Sequence, residues 1–575
     1  MADTEYDTSV HVVDYIVVIV TLLAIFLLGL WSSRRANRSN TQGYFLAGRT
    51  MSWWLVGLSL YVSNIGSGTF IGVSGSASVE GIAVVFYEFS GTSCAALLGF
   101  VFVPVYIASG CYTMPDYLQK RYGGQRIRAY VAVTQLLLMM FCYIAGEMYA
   151  GALIIQVTLG WNVYASVIAL LVLTAIYTVA GGLTAVMHTD ALMAAIILVG
   201  AFILMVINII ACVDPDVCYE ACGSYNGCSD VAYPYLILTL MPTFLKGLML
   251  AAMLAGVMSS FTSIFNSASS IFTIDIWKTM RPKCSNKEEM IVGRVFTIIL
   301  VCLSIFWLPL IEAFGAGQLF VYLQSIASYL SPPLLAAFIL AIGWERANEP
   351  GTFWASMIGL VLGVARLIAD FIFPSPGCDE EDTRPPVIAN FHYLHYAIFL
   401  FLVVFIFIII FSLLTKPQPK DELIGLTWWT RHRAAERIAK EEAQAASKKE
   451  NFGDASKEDL SLEPSKFIDN ETLERKEDDV EEYRIGSDDD ISQGENDNNS
   501  LEEAMQTSCC TTVKRGLGSW CCGATEISDE AQIAEEREHD IEVMTLSEDP
   551  KWKKIIEVNC AIMLVVGAFV WGFYA

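Results

Sequence analysis

Twelve apolar blocks, each about 20 residues or longer, divide this chain: Val13–Trp31, Met51–Gly72, Gly81–Ile107, Tyr130–Leu159, Val163–Ala180, Ala191–Ala211, Tyr235–Phe272, Met290–Leu310, Leu319–Trp344, Phe353–Phe373, Tyr393–Leu414 and Ile555–Tyr574. A block of that length crosses the hydrocarbon core of a bilayer as a helix, and a single soluble core has no use for so many. Hydrophobic residues make up 54% of the chain and charged ones only 17%, where a soluble chain carries about 25% charge. Backbone in lipid must satisfy its own hydrogen bonds, so the expectation is an all-α membrane protein of about 12 spans.

Basic residues orient it. Arg34, Arg35, Arg38 and Arg49 follow the first block, Lys120, Arg121, Arg126 and Arg128 the third, and Lys278, Arg281, Lys283 and Lys287 the seventh. The alternate loops Val73–Glu80, Val213–Pro234 and Glu312–Gln318 carry none, and Pro374–Phe391 carries only Arg384. The positive-inside bias then places the basic loops in the cytosol and both termini outside, in a multi-pass membrane protein. Asp3, Glu5 and Asp7 stand where a cleavable signal would be basic.

The net charge of −24 arises largely between Asn451 and Ser500, with 17 Asp and Glu against 5 Lys and Arg. Few aromatics accompany them, so a disordered cytosolic segment is expected, and its acidity says nothing about substrate. Cys509–Cys510 and Cys521–Cys522 in the same region lack the C-x-x-C spacing and nearby His of a zinc site. Cys212, Cys218, Cys222 and Cys228 fall in one external loop, where two disulfides in any of three connectivities can form. Cys378, in another external loop, makes that set odd.

Catalytic signatures are missing. The chain has no Walker loop, no H-E-x-x-H, no nucleophile elbow and no Rossmann glycines, so no enzyme is expected. Chemistry is therefore sought among polar residues inside the apolar blocks, each of which costs free energy unless it faces a cavity or a partner.

Three groups stand out. The run "SNIGSGTF" (Ser63–Phe70) interrupts an otherwise apolar span and leaves backbone groups open in a medium without water. In "LAGVMSSFTSIFNSAS", Gly256 shares a helix face with Ser259 and Ser260, which lead on to Thr262 and Ser263. Glu88, Glu147, Asp190 and Gln324, with Ser328 one turn on, are isolated polar residues. Small residues alone let membrane helices pack closely, and that is one reading of the serine strip. The other is an oxygen cage for a small hard cation, with carbonyls from the opened helix and hydroxyls from the facing one.

Extended runs carry a resemblance: "YFLAGRTMSWW" (Tyr44–Trp54), "SNIGSGTF", "TMPDYLQKRYGGQRI" (Thr113–Ile127), "LTAIYTVAGGLTAV" (Leu173–Val186), "VMSSFTSIFNSAS" (Val257–Ser269), "GQLFVYLQSIASYLSPP" (Gly317–Pro333) and "FHYLHYAI" (Phe391–Ile398). Together they resemble the sodium/glucose cotransporters of the sodium/solute symporter family, in its sugar-transporting branch. The resemblance implies two inverted five-helix repeats with extra flanking helices, working by alternating access. It implies Na+ as the coupling ion, at a site formed by the carbonyls of Val62, Ile65 and Gly256 and the hydroxyls of Ser259 and Ser260. A second sodium site, found in some members, would draw on Ser63, Asp190, Thr262 and Ser263. Sugar contacts would fall on Asn64, Thr69, Glu88 and Gln324, with Phe320 near the outer gate. The partners are then a small-molecule sugar, sodium and the lipid bilayer, with no nucleic acid.

The chain departs from that pattern in one large way. Between Ala211 and Tyr235 the family carries two more spans and a long external loop, about a hundred residues, including the broken helix that opens the second repeat. Here "FILMVINII" runs almost directly into "ACVDPDVC", and only one interrupted helix, at "SNIGSGTF", is legible. The loss is even in spans, so topology survives, and a partner for Cys378 would have gone with the loop. Asn37, Asn470 and Asn498 head sequons, all cytosolic in this orientation. Val321 and Ala327 replace an Asp and a Thr of the sugar members.

The expected division is residues 1–211 for the N-terminal span and first repeat, 212–234 for the external Cys-rich loop and 235–344 for the rest of an incomplete second repeat. Flanking helices follow over 345–415, the acidic cytosolic region over 416–554 and the last span over 555–575. The function expected is sodium-coupled symport of a glucose-like hexose. The alternatives are a non-transporting shortened isoform acting as a regulatory or dominant-negative partner, and a sodium symporter for inositol or another small solute.

Overall fold

The computed structural model describes residues 10–35, 41–66, 68–207, 232–282, 284–314, 319–373, 384–440, 541, 543–546 and 549–574. The Cys-rich loop cysteines, Cys378, residues 441–540 of the acidic region and the Ala211 side of the junction lie outside those residues. Two units divide the chain, one of Met1–Glu436 with Thr525–Ala575 and one of Arg437–Ala524. The apolar helices belong to the first.

Among the described residues the regular structure is helical. The principal helices are α1 (Val12–Arg35), α2 (Trp53–Asn64), α3 (Val85–Leu97), α4 (Val103–Ser109), α5 (Met114–Tyr122), α6 (Gln125–Leu138), α7 (Ala145–Leu159), α8 (Val163–Ile207), α9 (Ala232–Leu240), α10 (Leu245–Ile271), α11 (Asn286–Phe314), α12 (Leu319–Leu330), α13 (Pro332–Gly343), α14 (Glu349–Ile372), α15 (Tyr393–Leu414) and α16 (Pro550–Tyr574). Among the described residues, seven helical stretches are long and apolar enough alone to cross a membrane, and two bent pairs pass the same test together. The remaining apolar blocks are helical where described. Val163–Ala180 and Ala191–Ala211 share α8, divided at Gly182, whose φ of 57° and ψ of −153° leave the helix. A Cβ there would strike the carbonyl of Tyr44.

Helix α15 shows why these are membrane spans. Tyr396, Leu400, Val404, Ile408 and Ser412 are buried at a spacing of four, while Ile398, Leu402, Ile406 and Ile410 on other faces are exposed. A soluble helix would carry polar residues on the exposed side; here both faces are apolar, so the outer one meets lipid.

The interior is organised around α10, whose most apolar window is 83% buried against 22% for α15. Against α10 pack α8, α1, α7 and α2, and α1 also lies along α8. A second apolar cluster joins α5 and α6 to α12–α15.

One expectation is corrected. "SNIGSGTF" is not the only interrupted span: α12 and α13 meet at a bend of 46°. Pro332 and Pro333 follow Ser331 and cannot donate backbone hydrogen bonds, so the ladder breaks there. The block Tyr235–Phe272 is also divided, between α9 and α10, where Phe244 adopts φ 78°.

Candidate functional site

The first break is where sequence placed it. The ladder of α2 ends with the Ile65 N–H donating to the Tyr61 carbonyl at 3.0 Å, and Ile65 leaves the helix at φ −99°, ψ 71°. The chain resumes when the Thr69 and Phe70 N–H groups donate to the Gly66 carbonyl at 3.2 and 3.3 Å. A π-helical turn, Gly68–Val73, follows, bent by 49° from α2. The carbonyls of the last turn of α2 therefore belong to a helix end, where the regular ladder stops.

Helix α10 faces this break. A Cβ on Gly256 would stand 3.2 Å from the Ile65 carbonyl oxygen and 3.6 Å from Gly66 Cα, so two bare glycines let the backbones touch. A Cβ on Gly66 would run into Ser260 Oγ, and would lie 2.5 Å from Glu147 Oε1. Ser260 is 3% exposed, and its hydroxyl is buried without a hydrogen-bond partner. A native orphan of that kind points to an absent group, because leaving it unpaired costs about 1–3 kcal/mol.

Neighbouring hydroxyls do find partners. Asp190, on α8 and fully buried, accepts from Ser59 Oγ at 2.5 Å and from Ser259 Oγ at 2.8 Å. Ser63 Oγ donates to the Ser59 carbonyl at 2.7 Å and lies 2.7 Å from Ser263 Oγ. Thr262 Oγ1 instead donates to the Ser259 carbonyl within its own helix. The structure thus brings Ile65, Gly256 and Ser260 to one crossing, while Ser259 turns to Asp190 and Val62 lies buried in the last turn of α2. It divides the second set into a Ser63–Ser263 pair and an Asp190 centre. Ser59, unmentioned by sequence reasoning, sits one turn before Ser63 on the same face, which was the available signal.

The solute candidates are less gathered. Asn64 is exposed and its Nδ2 donates to the Leu60 carbonyl at 2.8 Å. Thr69 lies half-buried on the π-helical turn, and Gln324 half-buried on α12, which packs against that turn. Glu88 is exposed on α3, whose principal neighbour is α16. Phe320 falls within α12, but its side chain lies outside the described residues.

Several charges expected on the cytosolic side serve the fold instead of the surface. Arg121 is fully buried and donates to the carbonyls of Ala341, Trp344 and Ala347 at 2.7, 2.7 and 3.1 Å, closing the end of α13. Arg126 forks onto Glu349 at 2.8 and 2.5 Å. Arg128 pairs with Asp275 at 2.8 Å, to which Thr113 also donates. At the other end, buried Asp14 accepts from the N–H groups of Phe244 and Gly247 at 2.7 and 2.9 Å, capping the start of α10.

The family model described as "Sodium:solute symporter family" matches residues 44–212 and 207–359. "Sodium/glucose cotransporter 4" of Danio rerio is 36% identical over 99% of this chain and 97% of its own. The protein of that name from Homo sapiens is 36% identical over 99% and 95%. "Sodium/myo-inositol cotransporter 2" of Oryctolagus cuniculus is 35% identical over 98% and 96%. The Danio rerio alignment runs over 682 positions, more than this chain's 575 residues. The relative therefore carries internal sequence with no counterpart here, and the family match divides at 207–212. A solved Na+-coupled sialic acid symporter in a substrate-bound, outward-open state shares the fold, with a TM-score of 0.55 at 19% identity, over 71% of this chain and 98% of its own.

Proposed function

The chain belongs to the sodium:solute symporter family, and from that premise we propose that its solute is a glucose-like hexose, carried across the plasma membrane with both termini outside. As a family member it is a multi-pass, sodium-coupled transporter of a small solute and not an enzyme. The observation that carries the reading is the crossing of α2 and α10. The carbonyls at the end of α2, the bare backbone of Gly256 and the orphan hydroxyl of Ser260 converge there, and a small hard cation is what such neutral oxygens suit. Sodium bound from outside favours the outward-open state, and its differential affinity for the two states is what couples ion to solute. Asn64, Thr69 and Gln324 around the break offer the polar contacts that hydroxyls of a hexose need.

Two observations favour other readings. Inositol cotransporters are about as similar as glucose cotransporters, and a cyclic polyol makes the same hydrogen bonds as a hexose. The sequence lacking at the junction favours a shortened, non-transporting form that retains the ion site. Uptake of labelled hexose, with and without sodium and with unlabelled myo-inositol as competitor, separates these readings. It is measured on the chain as it stands and on a version with the two spans restored. Sodium-independent or absent uptake in the restored version overturns the hexose proposal.

A further inference from the structure

Between α9 and α10 the chain turns through Phe244, whose φ of 78° and ψ of −47° lie where a bulky side chain rarely goes. Such a conformation persists only when its surroundings hold it. The holder here is Asp14 of α1. Its Oδ1 accepts the N–H groups of both Phe244 and Gly247, and its Oδ2 accepts the N–H of His11 at 3.1 Å. A Cβ on Gly247 would stand 2.6 Å from the Cα and the carbonyl oxygen of Asp14, so the two backbones touch.

This joint sets where α9 lies. Helix α9 packs on α7, on the π-helical turn Gly68–Val73 and on the short helix Ser74–Glu80. Its Tyr233 ring meets that of Phe70 with centroids 5.6 Å apart. Phe70 is buried, and its Cε2 lies 3.3 Å from the Cβ position of Gly256, next to the Ile65 carbonyl. One carboxylate of α1 is thus connected to both sides of the crossing. It reaches α10 through the first turn of that helix, and the break after α2 through α9, Tyr233 and Phe70.

We propose that Asp14 is a positioning residue for the sodium site, acting through the Phe244 joint; this rests on the sodium reading of that crossing. It holds the joint in the backbone geometry that seats Tyr233 on Phe70 while α10 presents Gly256 and Ser260. Without the acceptor, Phe244 relaxes toward an ordinary negative φ, and fewer molecules keep the break and α10 in register. Apparent affinity for the ion falls by that fraction. Helix α1 then takes part in ion binding, although none of the proposed ligands lies on it.

The test is the sodium-dependent rise in melting temperature of the purified full chain, with sodium exchanged for choline at constant ionic strength. Asp14→Ala should raise the half-saturating sodium concentration at least fivefold. Asp14→Asn keeps an acceptor oxygen for the joint and should recover most of that loss. Phe244→Gly added to Asp14→Ala should recover at least half of the shift on a logarithmic scale, since glycine accepts a positive φ without help. A lower melting temperature in choline with an unchanged half-saturating sodium concentration makes Asp14 a structural cap and overturns the proposal. No recovery with Phe244→Gly overturns the joint as the route. Asp14→Asn impaired as deeply as Asp14→Ala overturns the hydrogen-bonding role. Ser260→Ala, run in parallel, tests the premise. An unshifted response there overturns the sodium reading, whereas a shift there with none in Asp14→Ala overturns only the role of Asp14. Should Asp14→Ala fail to melt cooperatively, Asp14→Ser, whose hydroxyl falls short of the joint, decides: a threefold or larger shift supports the role, and an unshifted curve overturns it.

Discussion

The hydroxyl of Ser259 donates to Oδ1 of Asp190 at 2.8 Å, tying α10 to α8 beside the orphan hydroxyl of Ser260. Ser59 takes the other oxygen from α2. Three helices, α2, α8 and α10, are thus joined through one buried carboxylate, next to the proposed ion site. Ion binding and helix position are adjacent events here, which is the arrangement that coupling needs.

Asp190→Asn should disturb this joint without changing its size. An amide offers one acceptor oxygen where two hydroxyls now donate, so one buried hydroxyl loses its partner at about 1–3 kcal/mol. Thermal unfolding of the purified protein measures the loss. Adding Ser259→Ala should cost less than the sum of the two changes, since it removes the donor that had been orphaned. Strict additivity would mean the two side chains do not share a hydrogen bond.

The ion cage is tested directly by Ser259→Ala with Ser260→Ala. The pair should raise the sodium concentration needed for half-maximal effect well over tenfold, with about 1–3 kcal/mol lost per buried oxygen. Equal sodium dependence in mutant and parent would leave the strip as a packing surface only.

Sequence reached the break at Ser63–Phe70 because a polar, glycine-rich run inside an apolar block has no other outlet than to open the helix. It reached Ser259 and Ser260 because helical spacing put them in line with Gly256. It missed Ser59, whose hydroxyl is an ordinary feature of a membrane helix until Asp190 arrives from more than a hundred positions away. The bend at Ser331 was written in Pro332 and Pro333 but looked like part of one long apolar block. Arg121 was read as a cytosolic charge, since nothing local shows that three carbonyls from Ala341 to Ala347 will close over it. Periodic features were legible; those that depend on contacts between distant segments were not.

Arg121 and Arg433 should therefore respond differently to the same change. Arg121→Gln removes a fully buried cation from three carbonyls and should lower stability by about 3 kcal/mol or more. Arg433→Gln breaks a pair with Glu436 whose side chains are 54% and 52% exposed and screened by solvent, and should leave stability nearly unchanged. Chemical or thermal unfolding of the two variants compares them, and equal effects would contradict the buried role.

Topology is open to a labelling experiment. Tags at the N-terminus and the C-terminus should be reached by antibody in intact cells, and one placed within residues 451–500 only after permeabilisation. Exposure of a single terminus would mean that the number of spans is odd.

The sharpest expectation concerns the junction at 207–212, where the family match divides. In an inverted-repeat symporter the solute lies between two broken helices, one from each repeat, and each closes one side of the path. On the expectation that the absent sequence holds the first two helices of the second repeat, Asn64 and Gln324 would have no opposite wall, while Glu88 stands apart from them on α3. Water then competes with solute for every hydrogen bond, and little net affinity remains. Apolar faces on neighbouring helices also lose their packing partners, which favours retention inside the cell. The proposed ion ligands would be spared, because Ile65, Gly256 and Ser260 all lie on segments that are present and in contact. The 575-residue chain should accordingly keep a sodium-dependent rise in melting temperature while giving little sugar uptake, and restoring the two spans should recover uptake. Labelled-sugar uptake with and without sodium, corrected for surface protein, is the measurement. Robust sodium-driven uptake by the short chain would show that the second broken helix is dispensable and that the solute path closes without it.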